Sequence, residues 1–208
     1  MKRKILMFIF AVVLACVPAL AQETLYPVRS SGGVDILTPD HLSFVVENPF
    51  KYRFTLGSPP EDYIHVVPKT RARTLIFWLR IDNLSDQPLP INITTFSCVD
   101  DQGKTCRLLT PDQAFDRMIA EPVGARKILR NLVNDASVGV ADKQSETDAR
   151  ERDEMMQFSL NSGQIAVGGV RHGVIYFEEP PQKNFTVKIT LGDLWPKPIM
   201  FTNVKPKS

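Results

Sequence analysis

The chain is predicted to be mainly β, an antiparallel β-sandwich with a helical segment inserted near its middle. Two observations carry this. Short apolar runs recur between turn residues at a spacing of roughly eight to twelve residues. The 16 prolines are many for a helical protein and ordinary for a strand-and-turn one.

The first 21 residues stand apart. Met1-Lys2-Arg3-Lys4 is followed by an apolar run from Ile5 to Val17, and Ala19-Leu20-Ala21 closes the segment. A basic head, a short apolar core and an A-x-A exit make a secretory signal peptide, too short for a membrane span. The fold is therefore expected to begin near Gln22, in a protein that is periplasmic or extracellular. Cys16 gives a second reading, because Val13-Leu14-Ala15-Cys16 resembles a lipobox, whose cysteine is acylated and becomes the mature N-terminus. Leu14 is bulky for its position and Ala19-Leu20-Ala21 competes as a cleavage site. Lipidation of Cys16 is the one membrane attachment expected.

Over the whole chain 25 Lys+Arg face 23 Asp+Glu, a net charge of +2. Three of the bases lie in the leader, so the remainder carries 22 against 23. A near-neutral body gives no ground for a nucleic-acid partner.

Residues 22–33, with Ser30-Ser31-Gly32-Gly33, read as a flexible leader. Residues 34–208 read as one domain. Its first strands are Val34–Leu37, Leu42–Val46, Tyr52–Leu56 and Tyr63–Val67, separated by Thr38-Pro39-Asp40, Asn48-Pro49 and Ser58-Pro59-Pro60. Tyr52-Arg53-Phe54-Thr55-Leu56 alternates, which implies one buried face. Leu75–Ile81 is apolar at both parities, as in a central strand covered on both sides. Asp82–Asp86 makes a turn, and Leu89–Cys98 is expected to return as a single strand. Val174–Phe177, Phe185–Leu191 and Ile199–Val204 supply the C-terminal strands.

Cys98 and Cys106 flank a predicted hairpin tip. A three-residue loop Asp101-Gln102-Gly103, with Gly103 left-handed, sets Asp100 opposite Lys104 and Cys98 opposite Cys106. Facing cysteines in an exported chain are expected to form a disulfide, worth roughly 2–3 kcal/mol for so short a loop.

Thr110-Pro111-Asp112-Gln113 opens the inserted segment, which runs to about residue 158. It has a Thr N-cap, Pro in the first turn and Gln to complete a capping box. Phe115, Met118 and Ile119 form one apolar face, and Leu129, Leu132 and Val133 form another on a second helix. These faces either pack on each other and on the sheet, or present a patch to a partner. Asp142–Glu154 is mostly charged, with Glu146–Arg150 and Asp148–Arg152 at i,i+4. It is expected to be a solvated helix or a linker with too little apolar content to hold a core.

Two blocks resemble the small immunoglobulin-like domains found in many bacterial lipoproteins and exported proteins. In the first, Leu75–Ile81 ends in Asp82-Asn83 and leads through Leu89–Phe96 to the Asp100–Gly103 hairpin. In the second, Ser162-Gly163-Gln164 precedes Gly173-Val174-Ile175-Tyr176-Phe177-Glu178-Glu179-Pro180. Together they span 48 residues. The resemblance implies an immunoglobulin-like fold and supplies no catalytic residue or cofactor.

The residues themselves name no reactive site. His41, His65 and His172 are scattered, with no ligand partner at i+2, i+3 or i+4, so no metal site is expected. Asp100 and Asp101 supply too few oxygens for calcium. Arg71 and Arg73 form a charged strand edge, which blunts aggregation. Gly168-Gly169 lacks phosphate-loop spacing and marks a bulge or turn. Asn83-Leu84-Ser85, Asn92-Ile93-Thr94 and Asn184-Phe185-Thr186 match the glycosylation acceptor pattern and are read as chance, since the leader is of bacterial type. The leading expectation is a non-catalytic envelope module, without cofactor, that binds another envelope or secreted protein. The rival is an exported hydrolase with Asp112, Asp116 and Glu121 between sandwich and helices.

Overall fold

The computed structural model describes residues 25–28, 36–37, 43–48, 51–60, 73–120 and 138–205. Among them are strands β1 (Tyr26–Val28), β2 (Ile36–Leu37), β3 (Ser43–Asn48), β4 (Tyr52–Gly57), β5 (Thr74–Asn83), β6 (Leu89–Ile91), β7 (Ser97–Asp100), β8 (Thr105–Cys106) and β9 (Leu108–Leu109). Helices α1 (Pro111–Ala120) and α2 (Val138–Phe158) follow, then β10 (Gly163–Ile165), β11 (Val170–Glu178), β12 (Thr186–Thr190) and β13 (Ile199–Thr202). One sheet has the order β1-β13-β12-β7-β8, a second β2-β3-β4-β5-β11-β9, and β10 pairs with β6 in a small third. All these ladders are antiparallel. The chain is thus mainly β, as its turn spacing predicts. The strand expected at 63–67 lies outside the described residues, as do the signal segment 1–21 with Cys16, His41, His65 and Arg71.

β5 and β11 form the longest ladder, with Thr74 opposite Glu178 at one end and Asp82 opposite Val170 at the other. Alternation divides their side chains between two faces. Leu75, Phe77, Leu79 and Ile81 join Ile175 and Phe177 on the inner face, against Val187, Ile189 and Phe201 of the other sheet. Phe77 meets Phe201 edge-on at 5.0 Å between centroids. Ile76, Val174 and Tyr176 point the other way and join Leu109, Ala114, Phe115 and Met155 in a second apolar cluster, with Trp78 at its border. A strand apolar at both parities therefore has a sheet on one side and helices on the other.

Several local predictions hold in detail. Gly103 is left-handed (φ 81°), its N–H donates to the Asp100 carbonyl (3.1 Å), and Asp100 N–H donates to the Lys104 carbonyl (2.9 Å). Cys98 lies opposite Cys106. At the start of α1, Gln113 N–H donates to Thr110 Oγ1 (3.2 Å) and Thr110 N–H to Gln113 Oε1 (3.1 Å), a reciprocal capping box. Gly168 is left-handed (φ 67°) in the turn before β11.

Two expectations are corrected. The leader is not without regular structure throughout, because Tyr26–Val28 adds an edge strand to β13. Leu89–Cys98 is not one strand. Asn92 Oδ1 accepts from Thr94 N–H (3.1 Å) and the Thr94 hydroxyl (2.7 Å), capping a 3-10 turn at Ile93–Thr95 that carries the chain from the small sheet to the five-stranded one. The charged segment forms a helix, one of the two alternatives expected for it, and Met155 just beyond it is fully buried.

The exit from α2 depends on one close approach. Ser159 bridges Val174, and Leu160 N–H donates to the Val174 carbonyl (2.9 Å), so the chain passes along the β11 edge into the inner core. A Cβ on Gly173 would stand 2.6 Å from Leu160 N and 2.8 Å from its Cα, both backbone atoms. Gly173→Ala is expected to cost about 1–3 kcal/mol by overpacking and to speed amide exchange at Leu160, read by native-state hydrogen exchange.

Asn83 ties three loops. Its Nδ2 donates to the carbonyls of Gln87 (2.8 Å), Ile165 (3.1 Å) and Ala166 (3.1 Å). Its Oδ1 accepts from Ser85 N–H (3.0 Å) and the Ser85 hydroxyl (2.7 Å). The side chain is buried, so truncation strands its partners. Asn83→Ala is expected to lower stability by about 3 kcal/mol, read as a reduced urea midpoint at unchanged slope.

Tyr176 gives the fold an alkaline limit. Burial pushes its phenol from the ordinary value of 10.0 up to about 12, with a hydrogen bond to Ser159 acting the opposite way. Between those values the unfolded chain loses a proton that the folded one keeps. The stabilising contribution is therefore complete below pH 10.0 and is lost as pH rises toward about 12. Tyr176→Phe is expected to flatten the fall in urea midpoint over that interval, by up to about 1.4 kcal/mol per pH unit.

Candidate interaction surface

Among the described residues, α1 and α2 cover one end of the outer face of the six-stranded sheet. Register defines the other end. Arg53 of β4 lies opposite Asp82 of β5, and Thr55 opposite Arg80. On the far side of β5, Arg80 lies opposite His172, and Trp78 opposite Val174. Outward parity thus brings Arg53, Thr55, Arg80, Asp82, His172 and Trp78 onto one continuous patch.

Asp82 organises it. Its Oδ1 accepts from Arg80 Nη2 (2.9 Å) and Nε (3.2 Å), and its Oδ2 lies 3.5 Å from Arg53 Nε. The carboxylate side chain is 10% exposed while each arginine side chain is 46% exposed. Two guanidinium groups are therefore held by one carboxylate and stay partly exposed, with Glu47 of β3 opposite Arg53 on its other side. The His172 ring lies 6.4 Å from the Trp78 ring, next to this triad. Planar, fixed guanidinium groups beside an indole favour carboxylate hydrogen bonding and apolar contact. The arrangement offers recognition chemistry.

The helical layer is a different kind of surface. Phe115 is 2% exposed and packs inward, so for this residue the packing alternative holds over the partner patch. The side chains of Met118 and Ile119, and residues Leu129, Leu132 and Val133, lie outside the described residues. Arg152 Nη1 meets Asp112 Oδ1 at 3.2 Å, its Nη2 meets Asp116 Oδ1 at 2.6 Å, and its guanidinium carbon sits 5.0 Å above the Phe115 ring. The charges of α2 thus reach across to α1, a contact between helices that i,i+4 counting along one helix does not reveal. Two of the three acids named for a hydrolytic site, Asp112 and Asp116, are held by this arginine, and Glu121 lies outside the described residues. Arg107 and Arg117 converge in the same way on Glu178.

Cys98 and Cys106 form a third grouping, at the edge of the five-stranded sheet. Both are buried free thiols that hydrogen-bond each other, so the disulfide expected between them is not formed in this structure. That contact, burial and the nearby Asp100 carboxylate push the Cys98 thiol up, while the hydrogen bond from Cys98 lowers that of Cys106. Asp100 Oδ1 accepts from Gln102 N–H (3.0 Å) and Lys104 N–H (2.7 Å), whereas its Oδ2 is buried without a hydrogen-bond partner.

Sequence reading missed the arginine patch. Its signal was present in the alternation Arg53-x-Thr55 and Trp78-x-Arg80-x-Asp82, but cross-strand register was needed to merge the two. Among the described residues no three His, Cys, Asp or Glu side chains converge to hold a metal ion. No described helix is long and apolar enough to cross a membrane.

No family model matches the chain, and no curated protein matches it. Two crystal structures are similar in part. The yjhA protein from Bacillus subtilis matches with a TM-score of 0.37 at 16% identity, over 72% of this chain and 77% of that one. A putative lipoprotein (ycdA) from Bacillus subtilis subsp. subtilis matches with a TM-score of 0.35 at 12% identity, over 75% of this chain and 37% of that one. Likenesses this remote assign no function.

Proposed function

We infer that this protein is an exported, non-catalytic envelope module of immunoglobulin-like sandwich type, which binds another envelope or secreted protein. Export rests on the basic, apolar and A-x-A pattern of residues 1–21. The sandwich reading is supported by two antiparallel sheets that share one apolar core. The binding reading is carried by a single observation, the Arg53–Asp82–Arg80 triad beside Trp78 and His172 on the open half of the outer face. Arginine and tryptophan supply much of the binding energy where proteins meet. Each guanidinium keeps donors toward solvent, so the partner segment is acidic with at least one apolar side chain against the indole.

Site-specific photo-crosslinking in intact cells tests this. A photoreactive residue at Thr55 is expected to trap a discrete protein adduct, while one at Gln102, on the distant hairpin tip, is not. Arg80→Glu should reduce the Thr55 adduct at least tenfold, because it places a like charge against an acidic segment. Equal labelling from both positions would refute the assignment of this face. Turnover of a glycosidic, peptide or ester substrate, lost in Asp116→Ala, would favour the hydrolytic rival instead.

A further inference from the structure

We propose that Cys98 and Cys106 are a site of oxidative modification, closing to an intrachain disulfide by exchange with a disulfide-bearing thiol oxidant. The two residues are direct cross-strand partners, and both side chains lie on the core side of the β7–β8 hairpin. Direct antiparallel partners fall within the Cα separation that a disulfide spans without backbone movement. The reaction balances as an exchange. The Cys106 sulfur attacks the oxidant's S–S bond, releasing one thiol and forming a mixed disulfide. The Cys98 sulfur then displaces the second thiol, so two S–H bonds are lost here and two are made on the reduced oxidant.

Cys106 is the attacking sulfur, because the hydrogen bond from Cys98 lowers its thiol pKa, while the nearby Asp100 charge opposes a thiolate on either cysteine. Order of folding supplies access. The hairpin is local, held by the Asp100–Lys104 and Gly103–Asp100 hydrogen bonds, whereas β12, which flanks β7, lies some ninety positions later. The oxidant reaches the thiols before the sheet is complete, and burial then shields the bond from reductants. This inference is independent of the partner-binding reading.

The experiment is a peptide map of the full-length protein recovered from the exported fraction, alkylated in denaturant without reductant and digested with trypsin. The cut after Lys104 leaves Cys98 and Cys106 on separate peptides, residues 81–104 and 105–107. The expected result is a linked pair that separates on reduction, with no alkylation at either cysteine. A Cys98→Ser variant should then show complete alkylation of Cys106. Alkylation of both cysteines in the exported wild type, or a link between Cys98 residues of two chains, would overturn the proposal. Neither readout requires a variant to fold.

Discussion

The pairing of β5 with β11 is the constraint on which the rest of the architecture depends. Nine residue pairs hold two strands apolar at both parities, and such strands are unstable unless both faces are covered. The inner face is covered by the five-stranded sheet, with Phe77, Phe177 and Phe201 at the contact. The outer face is covered where Ile76, Val174 and Tyr176 emerge, and helices α1 and α2 are what cover it. Where outward residues become Arg80, Asp82 and His172, the cover stops. The boundary between core and surface on this face is therefore written in the strand's own alternation.

That logic explains how a poorly amphipathic helix becomes part of the fold. α2 contributes Met155 to the outer cluster, and Arg152 to a bridge with two acids of α1. Its charges are mostly exposed, so the bridges add little stability individually. Their effect is geometric, setting α2 across α1. The chain then leaves over the edge of β11, where glycine alone permits the backbone of Leu160 to approach, and Leu160 enters the inner core. One short passage connects the two apolar clusters.

Polar residues in this molecule divide by burial into fasteners and displays. Asn83 and Asn92 read in isolation as parts of acceptor tripeptides, yet each spends its side-chain oxygen on the residues that follow it, in turns that reverse or redirect the chain. Asp82 is mostly buried and spends its oxygens on two arginines whose own donors remain partly exposed. Such an arrangement holds charge at fixed positions on a rigid sheet, where the entropic cost of ordering long side chains on binding is reduced. This is the physical basis for reading the patch as a recognition surface.

Much local chemistry that closes within a few residues was legible in the sequence, although the Asn92–Thr94 turn was read as strand. The capping box of Thr110 and Gln113, the left-handed Gly103 and the opposition of Cys98 and Cys106 all follow from short-range hydrogen bonding and turn geometry. So did the two-sided burial of Leu75–Ile81, because alternation reports faces directly. The edge strand at Tyr26–Val28 and the assembly of Arg53, Arg80 and Asp82 with His172 were decided by tertiary structure alone. Each depends on which strand lies alongside which, and in what register. Pairing energy between strands far apart in the chain is set by the whole packed core, and no local pattern of residues encodes it.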